Sequence, residues 1–565
     1  MNNAIAERGE LFEVAFEFDV KQTMRDGVKL SSNIFRPAGT RERFPVIVTR
    51  SPYQTAIGFQ KRLSDEAKFY AQRGYVYILQ DCRGKNDSEG EYHPFFDDPT
   101  DGFDTLVWCN HQEWSNGIIG TIGASYRAWN QWGTAALHPP GLRAMISIVA
   151  LPDPVLNVPF QNGALVLWMS EWLAGVEGKK NTDTSVYDYL EYFHHLPLAT
   201  LDRKFGRQSK IWKNWIDHPS ADEYWKKSFY MDKYDQIDVP ALHISGWYDD
   251  DVIGTHINYT KMREKAPSEK ARKNQKLIIG PWPHRVNLTR RLGPIDFGDT
   301  SIIDLQGIKH AWFDHWLKGI PTRIVDEPRI SIFVLGKNEW RKAEDWPLPG
   351  TSYRKYFLHS EGGANTSFGN GILSPDLPKS DEKKEDAYSY DPLDPCPNIY
   401  DLSITPAEAP YDQRPIELRN DVLVYSTPTL ASDIEVSGPV QVVLYTATSA
   451  TDTDFWAQLT DVFPDGFSMH LTEGIIRGRY RKSLETPELL EPGKVYEFKI
   501  DLWVTSNLFQ KGHKIRLDLS SSSFPKYDRN PNTGHDFGKD AEILVANQRI
   551  YHSNEYPSHV LLPVI

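Results

Sequence analysis

Ser125 stands in the stretch Ile118-Ile119-Gly120-Thr121-Ile122-Gly123-Ala124-Ser125-Tyr126-Arg127-Ala128. An apolar strand pattern meets a serine there, and a run with helical character follows from Trp129 to Leu137. A serine on a tight strand-to-helix turn has its hydroxyl pushed out above the sheet. The helix start behind it leaves backbone N–H groups free, and these favour negative charge. That arrangement suits a nucleophile whose attack on a carbonyl creates an oxyanion. Gly123 precedes the serine by two, as such a turn requires; Arg127 takes the place of the usual second glycine.

A serine nucleophile needs a base, and the base needs an orienting acid. Asp249 follows the apolar run Ala241 to Trp247, and His284 follows the run Gln275 to Ile279. Ser, Asp and His, in that order and each just past a buried strand, match the chain order of an α/β-hydrolase triad. Upstream, the strand pattern Phe44 to Thr49 runs into Arg50-Ser-Pro-Tyr53. The Tyr53 phenol could face an oxyanion there or simply pack beneath its loop.

The elements that must position these residues alternate. Strand patterns cover Val14 to Phe18, Gly27 to Ile34, Pro45 to Thr49, Tyr75 to Leu79 and Leu142 to Val149. Helical patterns cover Leu63 to Arg73 and Thr100 to Asn110. Such alternation implies a mostly parallel sheet. In Gln80-Asp-Cys-Arg-Gly84, Asp81 and Arg83 could serve catalysis, but the favoured reading is an ion pair that, with backbone hydrogen bonds, ties a loop down. From Pro159 to about Lys233 no buried strand is evident, and helices are expected over Gly163 to Leu173, Ser185 to Phe193, Lys210 to Ile216 and Ala221 to Phe229. A further amphipathic helix is expected at about Ile302 to Lys318. Beyond Thr351, short β-rich runs separated by turns such as Pro464-Asp-Gly466 and Glu491-Pro-Gly493 predict an all-β domain. A polar linker is expected at Ser380 to Glu385.

At 565 residues the chain is too long for one core. Its net charge of -13, with no long basic run, argues against a nucleic-acid partner. Cys82, Cys109 and Cys396 lie far apart and form no CxxC pair, so buried thiols are expected rather than a disulfide framework or zinc site. Met1 to Asp19 reads as neither signal peptide nor membrane anchor, and a cytoplasmic location is expected. There is no HExxH and no glycine-rich phosphate loop, so no metal or organic cofactor is implied.

The chain resembles the cocaine esterase/X-Pro dipeptidyl-peptidase superfamily, also called CocE/NonD hydrolases. The resemblance rests on Arg50-Ser-Pro-Tyr53, Gln80-Asp-Cys-Arg-Gly84, Gly123-Ala-Ser-Tyr126, Gly246-Trp-Tyr-Asp249 and Gly280-Pro-Trp-Pro-His284. Later it rests on Asp452-Thr-Asp-Phe455, Asp461-Val-Phe-Pro-Asp-Gly466, Gly474-Ile-Ile-Arg477, Lys511-Gly-His-Lys-Ile-Arg516 and Ser521-Ser-Ser-Phe-Pro525. It implies an α/β-hydrolase, a mostly parallel sheet with flanking helices, carrying an inserted helical cap and a C-terminal all-β jelly-roll domain. The three composition zones place the hydrolase domain at 1–150 and 239–350, the cap at 151–238 and the β domain at 351–565.

By motif, the resemblance implies Ser125 as nucleophile, His284 as base then acid, and Asp249 as its orienter. It also implies an oxyanion hole from the Tyr53 hydroxyl and the Tyr126 backbone N–H. The family's elbow resembles Gly-x-Ser-Tyr-x-Gly, and Ala128 stands at its later glycine. In the cap, Phe160, Trp168 and Trp172 are spaced to line a pocket or to fill a core, and the resemblance points to Phe160 and Trp172. Relatives that hydrolyse α-amino-acid esters hold the substrate ammonium with an acid two residues after the catalytic aspartate. Asp251 fits that place, but Val252 stands where a further acid would be expected. Asp250 and Asp251 would equally suit the N-terminus of the next helix.

The expected function is hydrolysis of carboxylic esters, or activated amides, through an acyl-enzyme. Rivals are an α-amino-acid ester hydrolase or acyltransferase, an X-Pro dipeptidyl-peptidase, or an inactive carbohydrate-binding or scaffold protein. The long peptidase members carry an extra N-terminal domain that is not seen here. The expected partner is a small-molecule ester or amide, with neither nucleic acid nor membrane; a homodimer is left open.

Overall fold

A computed structural model describes residues 11–53, 57–379, 384–399 and 409–565, with the side chains of 57–60 excluded. Most of the expected polar linker, 380–383, and the first ten residues of the N-terminal reading lie outside the described residues.

The first half builds one ten-stranded sheet. Chain order runs β1 (Val14–Thr23), β2 (Lys29–Pro37), β3 (Phe44–Ser51), helix α1 (Ile57–Ala71), β4 (Val76–Asp81), α2 (Asp98–Asn110), β5 (Ser115–Ala124), α3 (Tyr126–Ala135) and β6 (Leu142–Ile148). After a long excursion come β9 (Ala241–Tyr248), α8 (Val252–Lys265), α9 (Glu269–Lys273), β10 (Gln275–Pro283), α10 (Leu305–Lys318), β13 (Ile330–Val334) and β14 (Glu339–Ala343). A two-residue ladder, β11 (Arg291–Leu292) with β12 (Ile295–Asp296), falls between β10 and α10. The spatial order is β1-β2-β4-β3-β5-β6-β9-β10-β13-β14. The pairings β4-β3-β5-β6-β9-β10-β13 are all parallel, and antiparallel strands close both edges. Strands β3, β9 and β10 are buried along their whole length. Their near-continuous apolar sequences are what burial on both faces demands. The edge pair β13–β14 had no counterpart in the sequence reading, because its alternation is short and half polar.

The excursion between β6 and β9 is mainly helical: α4 (Trp168–Val176), α5 (Tyr189–Phe193), α6 (Lys210–Asp217) and α7 (Glu223–Lys226). Its start corrects one expectation. In place of a helix over Gly163 to Leu173 there is a hairpin, β7 (Phe160–Gln161) with β8 (Ala164–Leu165), and the helix begins only at Trp168. The turn is Asn162-Gly163, both at positive φ (48° and 90°). Asn-Gly supplies that backbone at little cost and favours a two-residue hairpin over helix.

The second half forms an eleven-stranded, almost wholly antiparallel assembly. Its strands are β15 (Ser352–His359), β16 (Ile372–Ser374), β17 (Glu385–Tyr390), β18 (Leu423–Ser426), β19 (Ile434–Thr448), β20 (Asp454–Val462), β21 (Ser468–Arg477), β22 (Tyr496–Phe509), β23 (Lys514–Ser520), β24 (Ala546–Tyr551) and β25 (His559–Val564). The run β17-β24-β19-β25-β15-β16-β18-β23-β20-β21 is continuous, and β22 pairs separately with β19. Val442, Leu444, Phe455, Leu459, Phe498 and Leu517 belong to one core enclosed by these strands. All three cysteines are free and buried, as expected. Among the described residues, no helix is long and apolar enough to cross a membrane.

Candidate active site

Ser125, Asp249 and His284 follow β5, β9 and β10 at the same edge of the parallel sheet. Open α/β sheets gather ligands at that edge. Ser125 caps α3 with φ 62° and ψ -130°, a strained conformation for a residue with a side chain. The turn is tight: its N–H donates to the Ile148 carbonyl at 3.0 Å, and its carbonyl accepts from Ala128 N–H at 2.7 Å. Gly123 is required by contact, since a Cβ there would lie 2.4 Å from the Arg127 carbonyl oxygen.

His284 Nδ1 lies 2.8 Å from Asp249 Oδ1. The other Asp249 oxygen accepts a 2.6 Å bond from the Ser245 hydroxyl. The Asp249 side chain is fully buried, whereas His284 keeps a quarter of its ring surface open. Burial alone would lower the His284 pKa. The Asp249 charge and hydrogen bond, joined by Asp251 and Asp250, outweigh that and raise it to about 9.

Ser125 and His284 share a cavity of about 160 Å³ with Tyr53, Tyr126, Phe95, Trp168, Trp172, Asp250 and Asp251. The Tyr53 hydroxyl accepts a long bond from Trp172 Nε1, 3.4 Å, and also meets the Ser125 hydroxyl. Burial raises the Tyr53 pKa, so the phenol keeps its proton and stays a donor. The Tyr126 N–H is the first of α3, a position with no acceptor inside its own helix. The Tyr126 hydroxyl is engaged elsewhere, donating to Asp98 at 2.5 Å and accepting from Phe95 N–H at 2.8 Å.

Asp251 occupies the cap position of α8 but makes no capping bond. One oxygen accepts from Asn157 Nδ2 at 2.9 Å, and the other lies 3.5 Å from His284 Nδ1. Burial first, and the Asp249 charge next, push its pKa well above the usual carboxylate range. Asp250, which also lines the cavity, pairs with Lys526 of the β domain at 3.0 Å.

Two sequence expectations need correction. Phe160 is fully buried away from the cavity lining, edge-on to Phe537 at 5.4 Å. The Asn162-Gly163 turn swings it into the contact with the β domain. Asp81 and Arg83 do not pair with each other: Asp81 accepts from Asn86 at 2.7 Å, and Arg83 pairs with Asp101 and Asp26. Phe95, Asn157, Leu151, Val158 and Met169 were missed. Phe95 and Leu151 are remote in sequence from the motifs, Asn157, Val158 and Met169 lie close to the named aromatics, and none carries a local signature of its own.

Among the described residues, Asp249–Asp251–His284 and His535–Asp540–Glu542 bring metal-ligand types together. In the first, His284 Nδ1 is already bonded to Asp249. In the second, on the surface, His535 Nδ1 meets Asp540 at 2.7 Å.

Two family models match the chain: the X-Pro dipeptidyl-peptidase (S15 family) model over residues 26–286, and its C-terminal non-catalytic domain over 322–561. Cocaine esterase of Rhodococcus sp. (strain MB1 Bresler) is 36% identical, over 97% of this chain and 98% of that protein. The chain belongs to the cocaine esterase/X-Pro dipeptidyl-peptidase superfamily. It is an enzyme of the serine-esterase type. Among solved structures, an aminopeptidase from a marine sediment Thaumarchaeota archaeon superposes with TM-score 0.86 at 28% identity, covering 100% of this chain and 99% of that one. An α-amino acid ester hydrolase matches equally, TM-score 0.86 at 27% identity and 100% of both chains. Both carry the α/β-hydrolase with C-terminal β domain described above.

Proposed function

We propose that this enzyme cleaves small carboxylic esters through an acyl-enzyme on Ser125. His284 takes the Ser125 proton as the hydroxyl attacks the ester carbonyl. Asp249 holds the imidazole with Nε2 toward the serine and balances the imidazolium that forms. The Tyr53 hydroxyl and the Tyr126 N–H receive the oxyanion. His284 then protonates the departing alcohol, and water repeats the sequence to release the acid. The observation that carries this reading is the 2.8 Å His284–Asp249 contact opening onto the cavity that Ser125 lines. Apolar walls from Phe95, Trp168 and Trp172 fit an apolar acyl or alkoxy group.

In this reading the hydrolase domain comprises 1–150 and 239–350, the cap 151–238 and the β domain 351–565. Three unpaired cysteines fit a reducing, cytoplasmic compartment.

A second substrate class, α-amino-acid esters, is favoured by Asp251 on the cavity wall. The names of the relatives, which include an α-amino acid ester hydrolase and an aminopeptidase, point the same way. Against it, Asn157 already occupies one Asp251 oxygen, and burial weakens its charge.

The test is fluorophosphonate labelling, with a panel of p-nitrophenyl and amino-acid esters, on wild type and Ser125→Ala. The label should map to Ser125 and vanish in the variant, along with ester turnover. Undiminished turnover by Ser125→Ala would refute the assignment.

A further inference from the structure

The run Ser521-Ser-Ser-Phe-Pro525 leads directly into Lys526, and the triad makes no use of either. Lys526 comes from the β domain, yet its Nζ lies 3.0 Å from Asp250 Oδ1, beside the aspartate that holds His284. On its other side it meets Glu473 Oε1 at 2.6 Å. All three side chains are at least nine-tenths buried. Glu473 is fixed in turn by Trp456 Nε1 at 2.7 Å.

The backbone of the same segment grips the cap. The Lys526 carbonyl accepts from Leu167 N–H at 2.8 Å, and Tyr527 pairs with Val166 in an antiparallel bridge. Asp528 takes the Leu165 N–H at 2.6 Å and is itself held by Arg477 at 2.9 Å. Leu165 to Leu167 lead straight into α4, which carries Trp168 and Trp172. One short segment therefore touches both the loop of the orienting acid and the root of the cavity wall.

We infer that Lys526 is a positioning residue for the triad: it holds Asp250 in place and offsets that carboxylate's charge beside His284. The β domain thereby completes the electrostatics of a site to which it contributes no reacting atom. Three carboxylates crowd the imidazole from the β9–α8 loop: Asp249, Asp250 and Asp251. Arg285 adjoins it in sequence, and Tyr53 stands on the cavity wall with Arg127 acting on it. Lys526 is, among the described residues, a cation placed directly on one of the three carboxylates. Without it, Asp250 would bear fully on His284 and favour the imidazolium, which cannot accept the serine proton.

This inference rests on the triad assignment above, and its test separates the two. The kcat/KM of a neutral p-nitrophenyl ester and the rate of fluorophosphonate labelling are followed against pH for wild type, Lys526→Met, Lys526→Arg, Asp250→Asn and Lys526→Met/Asp250→Asn. Lys526→Met should move the acid limb up by about 0.5–1 pH unit, lowering activity at pH 7 by about 3–10-fold with recovery at higher pH. Lys526→Arg should restore the wild-type limb. Asp250→Asn should move the limb down and abolish the upward shift of Lys526→Met. A folded Lys526→Met with an unmoved limb would overturn the inference. So would Asp250→Asn with an unmoved limb, which decides the matter even where Lys526→Met fails to fold. Absence of any Ser125 label on wild type would sink the triad instead.

Discussion

Asn157 in the cap donates a 2.9 Å hydrogen bond to Asp251, the residue that begins α8. That bond ties the excursion between β6 and β9 to the loop that carries Asp249, the partner of His284. It also means that Asp251 does not serve its helix: the amide and the imidazole claim its oxygens instead.

Rate should depend on pH through this group. His284 must be neutral to accept the Ser125 proton, so kcat/KM should rise with pH as the imidazolium deprotonates, reaching half its plateau near pH 9 and levelling off about one unit above that. Asp251→Asn removes a negative neighbour, makes the imidazolium less stable, and should move that limb to lower pH. Profiles with a neutral ester check the sign, and an upward shift would contradict it. If Asp251 also binds an ammonium, the variant should raise KM for amino-acid esters while sparing neutral ones.

On the proposed mechanism, Tyr53→Phe deletes one oxyanion donor and little else. A loss of about 10²–10³-fold in kcat is expected, with KM little changed. Steady-state kinetics beside a thermal melt test it; near-wild-type kcat would remove Tyr53 from the mechanism.

Tyr126→Phe separates the side chain from the backbone donor. Without the hydroxyl, the Phe95 N–H and Asp98 each lose a buried partner. A destabilisation of about 1–3 kcal/mol in denaturant unfolding is expected. Catalysis should fall too, because Phe95 sits at φ 77° on the cavity wall and depends on that bond.

Gly123→Ala tests the elbow. The added Cβ would meet the Arg127 backbone at 2.4 Å and Arg127 Cβ at 2.6 Å, both too close to be relieved without moving the turn. We expect about 1–3 kcal/mol of lost stability and near-complete loss of ester turnover, read by unfolding and by fluorophosphonate labelling. A fully active, equally stable variant would mean that the turn can open to admit a methyl group without moving Ser125.

Much of this protein could be read from one dimension. The buried strands announced themselves because burial on both faces demands unbroken apolar runs, as in Phe44–Ser51 and Ala241–Tyr248. A hydrolase of this kind seats its working groups at strand ends, so the proposed triad of Ser125, Asp249 and His284 could be read beside three legible strands. Only the tertiary structure decided what surrounds them. Asn157, Phe95 and Lys526 reach the site across tens to hundreds of residues, and no local period encodes such a meeting. Phe160 was misjudged for a related reason: aromatic spacing says that a ring is buried, while the Asn162-Gly163 turn decides against which surface. Whether a carboxylate such as Asp251 caps a helix or bears on an imidazole depends on burial and neighbours, and those exist only once the chain has folded.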